Sequence, residues 1–243
     1  MRMITFAKRC TKEILRDPLN LMFGLGFPVI LLLLLSAMQA NIPVDMFALE
    51  VLTPGITVFG LSFMTLFSST LIAKDRESSF LQRLYTTPLK SSDFILGYML
   101  PILPIAVAQS IVCYLVALIL GLPVSTNILY TVLMIVPIAV FYIALGLLCG
   151  SVFNVKQVGG ICGALLTNLS AWLSGIWFDL DLVGEAFSKI ANLLPFVHAV
   201  ELERALLSGN FSEVLPHLYP VLGYAIVIMA GAILLFLRQM KKQ

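Results

Sequence analysis

Side chains that could bind a metal or carry out hydrolysis are concentrated in one polar segment of the C-terminal third. His198 and Glu201 are three positions apart and would share one helix face, and Glu203, Asp179 and Asp181 lie nearby in the sequence. Zinc sites combine several such ligands, and no second histidine-containing pair supports this set. The sequence favours the alternative interpretation, in which these residues form solvated polar faces of short helices at a membrane surface.

No motif for catalysis or nucleotide binding is present in the sequence. A phosphate loop of the form Gly-x-x-x-x-Gly-Lys-Ser/Thr is absent, and no glycine is followed directly by lysine. No Ser/His/Asp set occurs in a recognisable local context. We therefore expect that the chain is not an enzyme and binds no cofactor, and that any energy for transport comes from outside the chain.

Aromatic and hydroxyl side chains recur at helical spacing in two of the apolar stretches. In the second stretch Phe59, Phe63 and Phe67 are four residues apart, with Ser62 and Thr65 beside them. A surface of rings and hydroxyls suits a hydrophobic or amphipathic cargo. The alternative is that these groups form hydrogen bonds between helices or face lipid. Both interpretations also apply to the candidate path residues of the fifth stretch, which are Thr167, Asn168 and Trp172.

The composition requires that these side chains be carried by membrane-spanning elements. Apolar residues make up 60% of the chain and charged residues 12%, with a mean hydropathy of +1.00, so the charged surface of a soluble domain is missing. A crossing needs roughly 20 apolar residues. The sequence predicts an all-α integral membrane protein with six transmembrane helices, near Leu19–Met38, Val51–Ile72, Phe94–Leu120, Asn127–Phe153, Val158–Phe178 and Leu218–Leu237.

The positive charges predict the orientation of these crossings. With the N-terminus inside, 13 of the 15 Lys and Arg residues fall in inner segments, and only Lys189 and Arg204 lie outside. We therefore expect a multi-pass protein of the cell membrane with both termini in the cytoplasm. The predicted crossings contain no Asp, Glu, Lys or Arg, which argues against proton coupling through the bundle.

Three shorter segments flank the crossings of this single transmembrane domain, which is predicted to occupy residues 1–243. Residues 2–17 form an amphipathic pattern that predicts a helix at the inner interface; the alternative is a basic flank that only fixes topology. This segment is too long and too mixed in charge for a cleaved signal sequence. Residues 179–208 predict two short re-entrant helices at the outer surface.

The largest inner loop predicts a short helix within residues 74–87. Phe80, Leu81, Leu84 and Tyr85 would form an apolar edge, and Pro88 ends the segment because the residue before a proline is displaced from the helical region. An apolar edge exposed to the cytoplasm requires a binding partner.

Small residues indicate where helices approach each other. Gly146 and Gly150, and again Gly159 and Gly163, are four positions apart, a spacing that permits close helix packing. The four cysteines fall at the inner face or within crossings, so the sequence predicts no disulfide framework.

Two stretches of the chain resemble the type-2 ATP-binding-cassette exporter permeases. Residues 74–97 (KDRESSFLQRLYTTPLKSSDFILG) are similar to the inner-loop signature of that family, in which a charged cluster precedes a leucine-bearing helix, Thr-Pro-Leu and Leu-Gly. Residues 194–209 (LPFVHAVELERALLSG) resemble its Asn-Pro-Leu…Arg-Ala-Leu-Leu-x-Gly element. The chain departs from that pattern at Leu194, where Asn is usual, and at His198, where Tyr is frequent.

The resemblance implies partners and roles for particular residues. It implies that a separate ATPase subunit binds ATP and magnesium, and that this chain pairs with a second permease, identical or homologous. Phe59, Phe63 and the other candidate path residues would line a path between the two permeases, which open outward by alternating access. The residues implied to couple the chain to the ATPase are Glu77, Phe80, Leu81, Arg83, Leu84 and Tyr85.

The function expected from residues and resemblance together is ATP-driven export of a drug, antibiotic or lipid-like compound. The alternatives are an exporter of ions or glycoconjugates in the same family and a membrane sensor or structural protein. A polysaccharide path would need many more polar wall positions than the sequence offers. The expected partners are the ATPase, the second permease and the lipid bilayer, without nucleic acid.

Overall fold

The computed structural model describes residues 2–42, 47–78, 80–81 and 91–241. Every regular element in these ranges is helical, which confirms the predicted all-α class. The helices in chain order are α1 (Arg2–Leu15), α2 (Pro18–Leu21), a first π-helical segment (Met22–Gly26), α3 (Phe27–Gln39), α4 (Leu49–Glu77), α5 (Ser91–Leu120), α6 (Asn127–Val152), α7 (Val155–Gly160), a second π-helical segment (Ile161–Leu166), α8 (Thr167–Trp172), a 3-10 turn (Leu180–Leu182), α9 (Glu185–Leu193), α10 (Pro195–Ser208) and α11 (Val214–Lys241).

Five helical stretches within the described ranges are long and apolar enough to cross a membrane. Each corresponds to one of the predicted crossings, because long uncharged runs of apolar residues form helices in lipid. The five stretches are Pro18–Gln39, Leu49–Glu77, Ser92–Leu120, Asn127–Val152 and Val214–Arg238.

The fifth predicted crossing is helical but shorter and more polar than the other five. Three six-residue segments, α7, the second π segment and α8, run without a gap from Val155 to Trp172. Its predicted end at Phe178 is wrong, because the helix stops at Trp172 and the chain turns through Gly175 in a left-handed conformation (φ 68°).

Helix α4 lies at the centre of the molecule and is buried along most of its length. Its closest neighbour is α6, and the glycines of α6 allow this approach. A Cβ atom on Gly146 would lie 1.9 Å from Ser68 Oγ, and one on Gly150 would lie 2.6 Å from the Ser69 carbonyl oxygen. The packing role predicted for this glycine pair is therefore confirmed.

The other glycine pair does not pack in the same way within the chain. A Cβ atom on Gly159 would meet no atom within 4 Å, and one on Gly163 would make an ordinary contact, 3.4 Å from Leu66 Cδ1. Within the described part of the chain this pair does not bring two helices close together, so the packing predicted for it stays a prediction, and the Gly159 face of α7 is open.

The segment predicted to hold two short outer helices contains α9 and α10. Helix α9 follows Gly184, whose φ of 121° suits glycine, and α10 has Pro195 at its first position and ends at Gly209 in the left-handed region. Helix α10 is buried on most of its faces against α4, α6 and α11. It therefore forms part of the bundle.

Candidate functional site

A buried carboxylate at the end of α4 joins three helices. Asp75 is only 1% exposed, and both terminal nitrogens of Arg9 on α1 donate to it (Nη1–Oδ2 2.5 Å, Nη2–Oδ1 2.6 Å). The hydroxyl of Tyr98 on α5 donates to the same Oδ2 at 2.8 Å. A buried charge is tolerated when it is paired and hydrogen-bonded in this way. The Asp75 cluster, defined as Arg9, Asp75 and Tyr98, therefore fixes α1 against α4 and α5.

Apolar contacts seat α1 beside this cluster. The ring of Phe6 packs edge-on against Tyr98, with centroids 4.9 Å apart, and against Phe94 at 5.8 Å. A Cβ atom on Gly97 would lie 2.3 Å from Phe6 Cδ1, so the absence of a side chain there makes room for the ring. Helix α1 buries one face against protein and leaves Lys8 and Lys12 exposed, which agrees with the predicted amphipathic pattern.

Burial and charge perturb the titration of groups on α1. Burial lowers the pKa of Arg9, but the hydrogen bonds and charge of Asp75 outweigh it and hold that pKa above its usual value. Burial also raises the pKa of the Cys10 thiol to about 12. The pKa of Glu13 is raised by burial and partly offset by Arg9, which it contacts at 2.7 Å. Arg9 is therefore a permanent cation beside the C-terminal end of α4.

The candidate coupling residues begin directly after the Asp75 cluster. Helix α4 continues to Glu77 and is interrupted at Ser78, so the predicted inner helix does not begin at residue 74. The guanidinium of Arg9 lies over the ring of Phe80, 4.2 Å from its centroid, and Leu81 is buried in the main core. Glu77 Oε1 accepts a hydrogen bond from the Val155 amide at 2.9 Å. The other three candidate coupling residues, Arg83, Leu84 and Tyr85, lie outside the described residues.

An aromatic cavity of about 490 Å³ lies between the first crossing, α4 and the helical stretch Val155–Trp172. Its walls are mainly rings, aliphatic side chains and glycine faces, with Thr167 and Asn168 as polar groups. None of the described residues that line it is charged. The lining residues are Phe23, Phe27, Leu31, Phe59, Phe63, Leu66, Gly159, Gly163, Ala164, Thr167, Asn168, Ala171 and Trp177.

Four of the eight predicted path residues meet at this cavity, namely Phe59, Phe63, Thr167 and Asn168. The two rings pack edge-on with centroids 5.9 Å apart. These positions come from two stretches about one hundred residues apart, and the structure brings them together.

The other four predicted path residues lie elsewhere. Ser62 donates to the Phe59 carbonyl oxygen at 2.7 Å, and Thr65 donates to the Tyr142 carbonyl oxygen at 2.8 Å, across to α6. Phe67 is buried over Gly24, and Trp172 is 54% exposed on the outside of the bundle. The Thr65 hydroxyl therefore joins two helices, as in the alternative interpretation, whereas the Ser62 hydroxyl bonds within its own helix.

Several lining residues were not among the predicted ones. Phe23 and Phe27 lie one helical turn apart in the first crossing, and this spacing was a usable signal. Trp177 closes the cavity from the turn after α8 and packs edge-on against Phe59 at 5.9 Å. No local sequence pattern marks Trp177 as part of the same site.

The polar side chains of residues 179–208, the segment predicted to lie outside, do not converge on one point. His198 Nδ1 faces His217 Nδ1 at 3.0 Å, and its Nε2 contacts the Asn192 carbonyl oxygen at 2.9 Å. Glu201 pairs with Arg204 at 2.7 Å, whereas Glu203 is fully buried. In the part of the chain that the structure describes, no group of three or more His, Cys, Asp or Glu side chains could hold a metal ion.

Comparison with known proteins gives one match. The family model described as ABC-2 type transporter matches residues 1–207, which includes α1, the Asp75 cluster, the aromatic cavity and most of α10. No curated protein and no solved structure matches the chain.

Proposed function

The chain belongs to the ABC-2 type transporter family, and from this premise we propose that it exports a hydrophobic or amphipathic compound such as a drug, an antibiotic or a lipid-like molecule. As a member of that family it is a membrane permease subunit of an ABC-type transporter, and ATP is hydrolysed by separate ATPase subunits. The observation that carries the cargo proposal is the aromatic cavity, whose described lining is uncharged. Such a lining favours apolar ligands with few polar groups.

The proposed path is completed by a second permease, identical or homologous. The cavity is open to the outside of the chain, and Gly159 has an unoccupied face beside it. Leu165 and Trp172 on the same helical stretch are 56% and 54% exposed. A second copy placed against this stretch would enclose the cavity between two chains.

The proposed contact with the ATPase is made by the inner loop of residues 74–87. Charge supports its cytoplasmic position, because 13 of the 15 Lys and Arg residues lie in the segments proposed to be inside. The first four residues of this loop form the end of α4, and the Asp75 cluster joins that end of α4 to α1 and α5. A displacement of the loop by the ATPase would therefore move α1, α4 and α5 together.

The proposed topology has six crossings in one domain, with the stretch Val155–Trp172 as the fifth. Both termini then lie in the cytoplasm, in the cell membrane. The exposed charges of Lys8 and Lys12 on α1 suit the anionic headgroups of an inner leaflet.

Transport by purified protein tests the cargo proposal. The full chain and its ATPase are reconstituted in vesicles, and ATP-driven movement of a panel of lipophilic dyes is measured, with neutral N-phenylnaphthylamine and a fluorescent phospholipid as the first probes. We expect Phe59→Ala and Phe63→Ala to reduce the rate at least tenfold, because each removes a wall of the cavity. Leu129→Ala, on an exposed face of α6, is the control. Equal rates in all variants would refute the assignment of the cavity.

A further inference from the structure

Glu203 is a fully buried carboxyl group on the outer helix α10. Its exposed fraction is 0%, and its hydrogen-bonding partner is the hydroxyl of Tyr114 on α5, which donates to Oε2 at 3.1 Å. Its second oxygen, Oε1, has no hydrogen-bond partner within the part of the chain that the structure describes. A buried carboxylate normally requires a counter-charge or several donors, and Glu203 has one neutral donor.

The adjacent arginine does not neutralise Glu203. Arg204 pairs with Glu201 Oε1 at 2.7 Å and donates to the carbonyl oxygens of Gly175 at 3.1 Å and Val51 at 3.3 Å. On α5, the titratable group that faces Glu203 is Tyr114, which is itself buried and neutral at physiological pH.

The protonated form of Glu203 suits this environment, because burial raises its pKa well above the usual value and the hydrogen bond from Tyr114 offsets only part of that effect. A neutral carboxylic acid carries no uncompensated charge into the protein interior. If α10 moved away from α4, α6 and α11, the helices that bury it, water would reach the group and it would ionise at neutral pH.

We infer that Glu203 is a proton-binding site that senses the packing of α10 in the bundle: the carboxyl group is protonated while α10 is packed and releases its proton when α10 moves into contact with water. The inference rests on the proposed function in one respect, since it treats the movement of α10 out of the bundle as a step of transport. The return of α10 to the packed state then takes up one proton per chain, and its departure releases one.

The direction of the pH dependence follows from this linkage. The packed state binds one more proton than the open state at pH values between the two pKa values of Glu203. Lowering the pH in that window therefore favours the packed state, by up to about tenfold for each pH unit. Above the pKa that Glu203 has in the packed state, protonation no longer favours that state.

Two measurements on the full-length protein in lipid nanodiscs test the site. Infrared spectroscopy at pH 7 should detect the carbonyl stretch of a protonated carboxylic acid, and Glu203→Gln should remove it. Spin labels at Ser208 on α10 and Ile119 on α5, in a background in which the four buried cysteines are replaced, should report a packed population that rises as the pH falls from 8 to 5. Glu203→Gln should remain packed at every pH, because its amide is neutral and still accepts from Tyr114.

The control is Glu213→Gln, which removes an exposed carboxylate just before α11 and should leave both signals unchanged. An unchanged pH response in Glu203→Gln, or no protonated carboxyl band in the native chain, would overturn the inference. If the band and the pH response appear but the vesicles show no ATP-driven export, the proposed function fails while the proton site stands.

Discussion

Arg9 and Asp75 form a two-pronged ion pair across 66 positions of the chain, and their exposures are unequal. The arginine side chain is 36% exposed, whereas that of Asp75 is 1% exposed. A cation at the protein surface, Arg9, thus neutralises a buried anion, Asp75. Because water can hydrate only one of the two partners, removing each has a different consequence.

Arg9→Ala should destabilise the protein more than Asp75→Asn. Loss of the arginine leaves a buried carboxylate without a counter-charge, a change that costs about 3 kcal/mol or more. Loss of the carboxylate charge leaves an arginine that water still reaches. Unfolding in mixed detergent micelles measures both changes, with the exposed Lys12→Ala as control. The double variant should be more stable than Arg9→Ala alone, and a less stable double variant would contradict this account.

A side chain at Gly146 should weaken the contact between α4 and α6. Even the Cβ atom of Gly146→Ala would lie 1.9 Å from Ser68 Oγ and 2.4 Å from the Thr65 carbonyl oxygen, and the latter atom cannot rotate away. Overpacking of this kind costs roughly 1–3 kcal/mol. The melting temperature in detergent should therefore fall. Gly223→Ala, on the open face of α11, is the matched control and should not lower it.

Leu84→Asp should abolish co-purification of the ATPase while the permease still folds. Phe80 is a poorer probe, because its ring lies under Arg9 and its loss would disturb the permease itself. Leu182→Asp, at an outer position that is 80% exposed, provides a charge control. Recovery of a full complement of ATPase with Leu84→Asp would show that the inner loop is not the docking segment.

A cysteine at Gly159 should allow two copies of the chain to be cross-linked. Its side chain would enter open space on the face proposed to meet the second permease. In a background without the four buried cysteines, a short bifunctional thiol reagent should convert most of Gly159→Cys in membranes to a dimer. Leu129→Cys, on the exposed face of α6, should remain largely monomeric. The opposite pattern would place the interface on α6.

The positions of the long helices could be predicted from the sequence, because a chain segment that crosses lipid must satisfy its own backbone hydrogen bonds and few structures do so. An uncharged run of sufficient length must form a helix, so the five long crossings were located to within a few residues. The end of the fifth crossing could not be predicted, because it depends on a turn at Gly175 and hydropathy does not distinguish a turn from a helix. The end of α4 was also missed, because the charged residues after Ala73 continue the helix to Glu77.

Half of the predicted path residues line the aromatic cavity, and local spacing could not separate them from the other half. Phe59, Phe63 and Phe67 are equivalent in the sequence, but Phe67 is covered by Gly24 of another crossing. The Asp75 cluster joins residues from three separate segments, and no periodicity connects them. The sequence predicts Glu203 on a solvated polar face, but the residue is buried, because its burial depends on how α10 packs against α4, α6 and α11. Each of these features depends on contacts between helices, which a single sequence does not record.

Both π-helical segments contribute to the wall of the aromatic cavity, the first through Phe23 and the second through Gly163 and Ala164. A π turn holds one residue more than the α-helical turn beside it. If that surplus residue migrates along the helix, the part it passes rotates by about 100° and advances by about 1.5 Å, while its backbone hydrogen bonds are exchanged rather than lost. The wall could therefore replace its rings with other side chains by a shift of register, without any helix leaving the bundle.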